Sequence, residues 1–301
     1  MASVAQNARE ISPELCAPPR LQASLTLDFA RDEFAGQTVL AASRQEPPLK
    51  VVRAFAVQDG VALAHLHNVS GGLLGGDQLA LKVNVGAGAR VQLTTTGATR
   101  IYRPRHEAPP TTQSNEFTVH EGALLEYVPD AIIPFAGACF SQATTIQLAR
   151  DAGLFWWEIL APGREARGEA FAYDCVEMKT DIIAQGQPIA SERVRIEPRK
   201  HSMQSFGRLG PYRTWATFCI ARVGPSAAEW RALEQELREQ ALPLSNHGET
   251  LWAISALPAH GVMVRCVAVH GRHVLPGLQA LWQTAKQRLY GHNAVPPRKV
   301  N

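Results

Sequence analysis

Between about residues 22 and 222, apolar and polar positions alternate with a period of two. The runs "LTLDF", "LKVVRAFAV", "VALAHLH", "LALKVNV", "RVQLTT", "NEFTVH", "ALLEYV", "TTIQLA" and "LFWWEIL" are short and are closed by Gly, Pro, Asn or Asp. That pattern marks strands separated by turns. About ten such runs with no long helical stretch among them predict a mainly β body. A faint repeat runs through it. "LKVNVGAGARVQL", "FTVHEGALLEY" and "IQLARDAGLFWW" share a plan of strand, turn, glycine, strand, and their glycines Gly88, Gly122 and Gly153 lie 34 and then 31 residues apart. Two readings are open: units stacked in a solenoid-like, β-helical arrangement, or three unrelated hairpins that happen to use glycine. If the units stack, three connectors that follow them also stack along one edge: "TTTGATR" (94–100), "VPDAIIPF" (128–135) and "LAPGREARGE" (160–169).

The last third has a different period. Ser226 and Glu229 have the spacing of a capping box, Trp230, Leu233, Leu237 and Ala241 share one helical face, and Pro243 supplies a stop. A second helix carries Leu278, Leu281, Trp282, Ala285 and Leu289, with Gly291 as its C-cap. "TLWAISALPAHGVMVRCVAVHG" between them reads as two strands around a turn. The expected organisation is a lead-in over 1–21, one domain over 22–295 (a β-rich body to about 222, a strand and helix part over 223–291) and an exposed tail over 296–301. An exposed apolar stripe of Leu278, Trp282 and Leu289 would face a partner and would make the lone chain poorly soluble.

Composition narrows the classes. The 301 residues include 30 basic and 27 acidic ones, a net charge of +3 that is too small and too scattered to point to nucleic acid. No uninterrupted apolar run is long enough to span a membrane. The opening "MASVAQNAREISPELCAPPR" lacks the apolar centre of a secretory signal. Five widely spaced cysteines (Cys16, Cys139, Cys175, Cys219, Cys266) never form C-x-x-C, which suits inert thiols in a reducing cytoplasm and excludes a cysteine-cage zinc site.

The segment "HNVSGGLLGGDQL" asks for phosphate chemistry and does not deliver it. A Walker loop needs lysine after its last glycine, where Asp77 stands, and Gly71, Gly72, Gly75 and Gly76 miss the dinucleotide spacing. The segment is then either a rigid double turn in which Asp77 bonds back to turn amides, or an exposed acidic platform for a partner or a cation. His65 and His67 point to one face of a strand, and His270 and His273 sit at a strand-to-helix junction; each pair is either a partial metal site or a polar surface. Glu126, Asp130, Glu158, Glu165 and Glu169 crowd the connectors, either as solvated turn acids or as a hidden carboxylate pair for a β-solenoid hydrolase or lyase. No nucleophile elbow is present. Arg100, Tyr102 and Arg103 in "TTTGATRIYR" suit either a protein interface or the polar face of a strand.

Taken in order, "SGGLLGGDQL", "GAGARVQLTTTGATRIYRP", "GALLEYVPDAIIPFAGA" and "GREARGEAF" resemble the UreD (UreH) family of urease accessory proteins, over nearly the whole chain from about residue 22. Relatives often have two prolines where this chain has Val69 and Ser70 after Asn68, and lysine where it has Arg100, which predicts a less rigid first turn. The resemblance implies a helix-poor stack of strands in a non-catalytic cytoplasmic maturation factor. Such a factor binds UreF, the GTPase UreG and apo-urease, and helps deliver nickel, with Ni²⁺ as transient cargo and no tightly bound cofactor. On that basis the nickel path would run over Asp77, His65, His67, Glu126, Asp130, Glu158 and Glu169 as spaced weak ligands. The turn and partner surface would comprise Gly71, Gly72, Gly75, Gly76, Thr95, Gly97, Thr99, Arg100, Tyr102, Arg164 and Gly168.

Overall fold

The computed structural model describes residues 22–104 and 108–297; the expected lead-in over 1–21 and most of the tail lie outside the described residues. Strands β1 (Gln22–Arg31), β2 (Thr38–Gln45), β3 (Leu49–Lys50), β4 (Ala54–Ala56), β5 (Ala62–Asn68) and β6 (Gln78–Val85) come first. They are followed by β7 (Arg90–Thr95), β8 (Thr99–Ile101), β9 (Thr111–Val119), β10 (Leu124–Tyr127), β11 (Ile132–Pro134) and β12 (Cys139–Leu148). The body closes with β13 (Gly153–Leu160), β14 (Cys175–Ala184), β15 (Gln187–Ile196) and β16 (Thr214–Arg222). Helix α1 (Ala227–Ala241), strands β17 (Thr250–Ala256) and β18 (Gly261–Ala268) and helix α2 (Val274–Tyr290) complete the chain. The predicted run 49–57 is broken because the Gln45 side chain occupies both backbone groups of Val51, donating to its carbonyl at 3.1 Å and accepting from its N–H at 3.0 Å.

From β5 to β14 the chain passes between two sheets. A seven-stranded sheet has the order β15-β14-β12-β9-β6-β1-β2, and the second follows β17-β18-β16-β13-β10-β7-β5-β3 with β4, β8 and β11 attached beside it. Within each sheet the central strands pair in parallel: β1, β6, β9, β12 and β14 in the first, β5, β7, β10 and β13 in the second. The flanking pairs β1–β2, β14–β15, β13–β16, β16–β18 and β17–β18 are antiparallel, so both sheets are mixed rather than uniformly coiled. The turns between them stack, with Gly88 N–H donating to Glu121 O at 2.9 Å and Gly122 N–H to Arg150 O at 3.0 Å. The third turn departs from the sequence repeat. Its left-handed residue is Asp151 at φ 57°, where Gly88 and Gly122 stand in the other two turns. Gly153 has a different reason to lack a side chain: a Cβ there would collide with the Tyr290 hydroxyl at the end of α2.

Alternation along the strands builds three layers. Leu25, Val83, Phe117, Ile146, Leu154 and Trp156 form one apolar cluster between the sheets, and Leu73, Leu79, Phe140, Leu160 and Tyr173 form a second at the connector end. On the other face of the second sheet, Phe155, Trp157, Phe218 and Val264 pack against both helices. The capping box is present as expected: Ser226 N–H donates to Glu229 Oε2 at 2.8 Å while Glu229 N–H donates to Ser226 Oγ at 3.3 Å.

Two expectations for α2 are overturned. The stripe of Leu278, Trp282 and Leu289 does not face a partner: Leu278 and Trp282 are fully buried against the sheet and Leu289 packs partly against the same cluster. Glu126 is no surface acid either. It is fully buried beneath α2, accepting from Trp282 Nε1 at 2.8 Å and from Lys286 Nζ at 2.7 Å. Burial pushes its carboxyl up, and the Lys286 ammonium opposes that. An apolar helix face was legible in the sequence; an acid from a β-strand as its polar partner was not. Removing one member of a buried ion pair leaves an uncompensated charge. Lys286→Met is therefore expected to destabilise the fold by about 3–5 kcal/mol in urea unfolding, and Glu126→Leu combined with Lys286→Met to recover most of that loss.

Candidate functional site

The connectors stack as their spacing predicts. β8 and β11 pair in parallel through Thr99–Ile132, Arg100–Ile133 and Ile101–Pro134, and Ile132 pairs with Leu160 at the end of β13. Side chains tie the three together: the Tyr102 and Phe135 rings meet edge to face at 4.8 Å, and the Arg164 guanidinium lies 4.1 Å from the Phe135 centroid. Arg164 is also paired with Glu169 through two hydrogen bonds, one at 2.8 Å, and Glu169 Oε2 accepts from Ala136 N–H at 3.3 Å. The Arg164 partner holds the Glu169 carboxyl below the usual carboxylate range. Glu169 is thus a clamp between connectors. Gly168 is the exposed left-handed cap of the short turn before it, at φ 74°.

The double-glycine turn lies on this edge. Leu73 N–H donates to Arg100 O at 2.8 Å and Tyr102 N–H to Leu73 O at 2.7 Å. Gly71 and Gly76 supply positive φ of 78° and 90°, while Gly72 and Gly75 let the backbone pass against Tyr102 and Pro104, where a Cβ would clash. Asp77 is only 7% exposed and accepts from Leu74 N–H at 2.9 Å, so it closes the turn and is no acidic platform. The turn exposes Val69, Ser70 and Leu74, and Arg100 and Arg103 are exposed on the connector beside it.

Behind the turn lies a cavity of about 260 Å³, walled by Gly71, Gly72, His67, Thr95, Gly97, Thr99, Arg100, Gln113 and Tyr127 among others. Thr99, Gln113 and Tyr127 also wall a second space of about 20 Å³ beside Asp130, Gln142 and Glu158. That is room for roughly one water. The larger cavity is also lined by Leu25, Leu49, Leu66, Leu73, Leu79 and Leu81, whereas the smaller space lies in a polar belt that separates the two apolar clusters between the sheets. Along β12 the inward residues run Phe140, Gln142, Thr144, Ile146; along β9 they run Thr111, Gln113, Asn115, Phe117. The belt satisfies itself. Asn115 Nδ2 donates to Thr144 Oγ1 at 3.1 Å, Gln113 Nε2 to Asn115 Oδ1 at 2.9 Å, and Gln142 Nε2 to Glu158 Oε1. A group left unpaired there would cost about 1–3 kcal/mol. Asp130 sits at its rim, where its N–H donates to Thr95 Oγ1 at 2.9 Å and its Oδ2 accepts from the Thr95 hydroxyl at 3.3 Å. His67 neighbours His65, and burial with that neighbour lowers its basicity.

The structure therefore brings Asp130 and Glu158 to one small interior space, leaves His67 at the larger cavity, and assigns Asp77, Glu126 and Glu169 to structural bonds. Ala64 and Leu66 of β5 enter the core between the sheets, so the His65 and His67 side chains point to the opposite face, where His65 meets the exposed Phe55 ring. Among the described residues no group of three or more His, Cys, Asp or Glu side chains could close around a metal. His270 and His273 meet edge to face at 5.9 Å. Of the acids considered for a hydrolase or lyase, Glu165 and Glu169 are engaged by Arg213 and Arg164, and Glu126 and Glu158 cannot form a pair. Glu126 faces the helices and Glu158 faces the first sheet, so the second sheet stands between them. Reading the sequence missed Gln113, Asn115, Gln142 and Thr144. Their signal was polar residues at inward positions of otherwise apolar-alternating strands.

Burial pushes the Glu158 carboxyl from 4.5 up to about 8, with Gln142 opposing the rise and Glu192 adding to it. The folded protein thus holds this proton more tightly than the unfolded chain does. The stability this confers is fully present below pH 4.5 and is lost as pH rises through about 8. Each pH unit in that window removes up to about 1.4 kcal/mol. Urea unfolding at several pH values is expected to show this decline in the wild type and a flatter profile for Glu158→Gln.

The family described as UreD urease accessory protein matches residues 21–301. A urease accessory protein UreD of Herpetosiphon aurantiacus is 44% identical over 281 residues, covering 93% of this chain and 97% of the relative. One of Pseudomonas paraeruginosa is 34% identical over 287 residues, covering 95% and 97%, and one of Staphylococcus aureus is 32% identical over 225 residues, covering 74% and 78%. The glycine turn, the stacked connectors and the polar interior thus sit on a chain that, by this match along almost its entire length, belongs to the UreD family of urease accessory proteins.

Proposed function

We propose that this chain is a non-catalytic maturation factor for urease: a scaffold that docks through its glycine-turn edge and passes Ni²⁺ through its interior toward apo-urease. The partners in this reading are UreF, the GTPase UreG and the urease apoprotein, and the compartment is the cytoplasm. The observation that carries it is the self-satisfied polar belt, whose Gln113 walls both the cavity behind the turn and the smaller space beside Asp130 and Glu158. An ion in transit needs weak, spaced oxygen and imidazole donors, because a closed cage would hold it. Asp130 and Glu158 are donors of that kind, beside Gln113, Gln142 and Thr99 on the wall of the smaller space. The docking edge is supported by its exposed Val69 and Leu74 beside Arg100 and Arg103, a mixture of apolar and arginine side chains suited to protein contact.

Co-purification of the chain with UreF, UreG and urease, followed by urease activation with and without it, tests this reading. Asp130→Asn and Glu158→Gln are expected to keep the complexes and lower activation severalfold. Asp77→Ala is expected to weaken the turn instead, by about 1.5–3 kcal/mol, and to reduce complex formation. Activation that is equal without the chain, or equal in both interior variants, would overturn the proposal. Turnover of a substrate by the isolated chain would favour an enzyme in its place.

A further inference from the structure

Cys139 opens β12 and Cys175 opens β14, and the two are direct partners in the parallel ladder. Their neighbours Phe140 and Val176 point into the core, which places both cysteines on the outer face of the first sheet, each half-buried and free. As ladder partners in a parallel pair, the two side chains project from the sheet side by side. The strand starts that hold them are fixed by the Ala138 carbonyl, which accepts from Asp174 N–H at 2.9 Å and Cys175 N–H at 3.2 Å. Cys219 and Cys266, by contrast, are sealed in the core.

We propose that Cys139 and Cys175 form a two-coordinate site for a soft monovalent cation of the Cu(I) class, separate from the interior route. Ladder spacing favours a bridged ion over a disulfide. Parallel neighbours lie about 4.8 Å apart with side chains side by side, whereas a disulfide brings its Cβ atoms to about 3.8 Å. Two metal–sulfur bonds of about 2.3 Å reach about 4.6 Å. The absence, among the described residues, of any group of three or more metal-binding side chains selects against Ni²⁺ and Zn²⁺, which call for three or four ligands, and leaves a soft ion content with two. Burial raises both thiols, Cys139 to about 11, so both carry protons at neutral pH. Binding is then an exchange: Cu⁺ displaces two protons and forms two Cu–S bonds, leaving a bis-thiolate of charge minus one with no change of oxidation state. Arg195 stands next to Cys175 but is itself paired with Glu177 and Glu197, and Asp174 lies near Cys139, so the bis-thiolate forms in a charged surface network of both signs.

The full-length chain, kept anaerobic and titrated with Cu(I) against bicinchoninate, is expected to withhold one equivalent from the chelator. Cys139→Ser and Cys175→Ser should each lose it, while Cys16→Ser, Cys219→Ser and Cys266→Ser should keep it. Retention by Cys139→Ser, no Cu(I) held by the wild type, or equal retention of Ni²⁺ by the same two thiols would overturn the proposal. X-ray absorption at the copper edge of the loaded wild type decides the matter without a variant. Two sulfur neighbours support the site, and any other coordination refutes it. None of these outcomes depends on urease activation.

Discussion

Parallel, in-register pairing between strands that succeed one another within each sheet constrains everything else in the molecule. Because the chain crosses to the other sheet and returns before each new pair forms, a residue type at an inward position is stacked on the inward position of the neighbouring strand. Gln142 stands on Gln113, Thr144 on Asn115 and Ile146 on Phe117. Apolar rows then merge into two clusters, and polar rows merge into a belt between them. The same registration carries into the connectors, whose backbone groups find partners in one another through β8 and β11. An edge that would otherwise expose unpaired amides becomes an ordered surface on which the double-glycine turn rests.

Two buried acids show how one sheet can serve two layers. Glu126 and Glu158 lie on adjacent parallel strands, yet they face opposite ways. The first is drawn beneath α2 by Lys286 and Trp282, and the second faces Gln142 across the gap between the sheets. The Glu126 pair is neutralised in place and fixes how α2 sits on the sheet. Glu158 has no cation of that kind among its hydrogen-bond partners, and burial pushes its carboxyl up to about 8. An acid locked to an ammonium is suited to architecture; one bonded only to a neutral amide keeps a titration that depends on pH.

The helices, their capping box and the apolar face Trp230, Leu233, Leu237 and Ala241 were legible along the chain, since each depends on contacts or periods of a few residues, while the stacking of three connectors was one of two readings left open by a repeat of 31 to 34 residues. The roles of the acids were not. Asp77, Glu126 and Glu169 are alike in the sequence to Asp130 and Glu158, and only their distant partners distinguish them: a turn amide, a helix lysine 160 residues away and a neighbouring arginine. The inward polar residues of β9 and β12 carried a signal, but a single strand cannot tell whether such a residue faces a void, a partner or solvent.

Local periodicity in the sequence alone marked a β-rich body with two terminal helices, and the spacing of Asp77 and the glycines argued against a phosphate loop; the family came from a resemblance of motifs and not from local chemistry. Tertiary structure decided which face of α2 is hidden, which acids are bonded and which line the interior, and that Cys139 meets Cys175. The physical reason is range: backbone preference and periodicity act over a few neighbours, while burial and ion pairing are set by residues brought together only when the sheets close on one another.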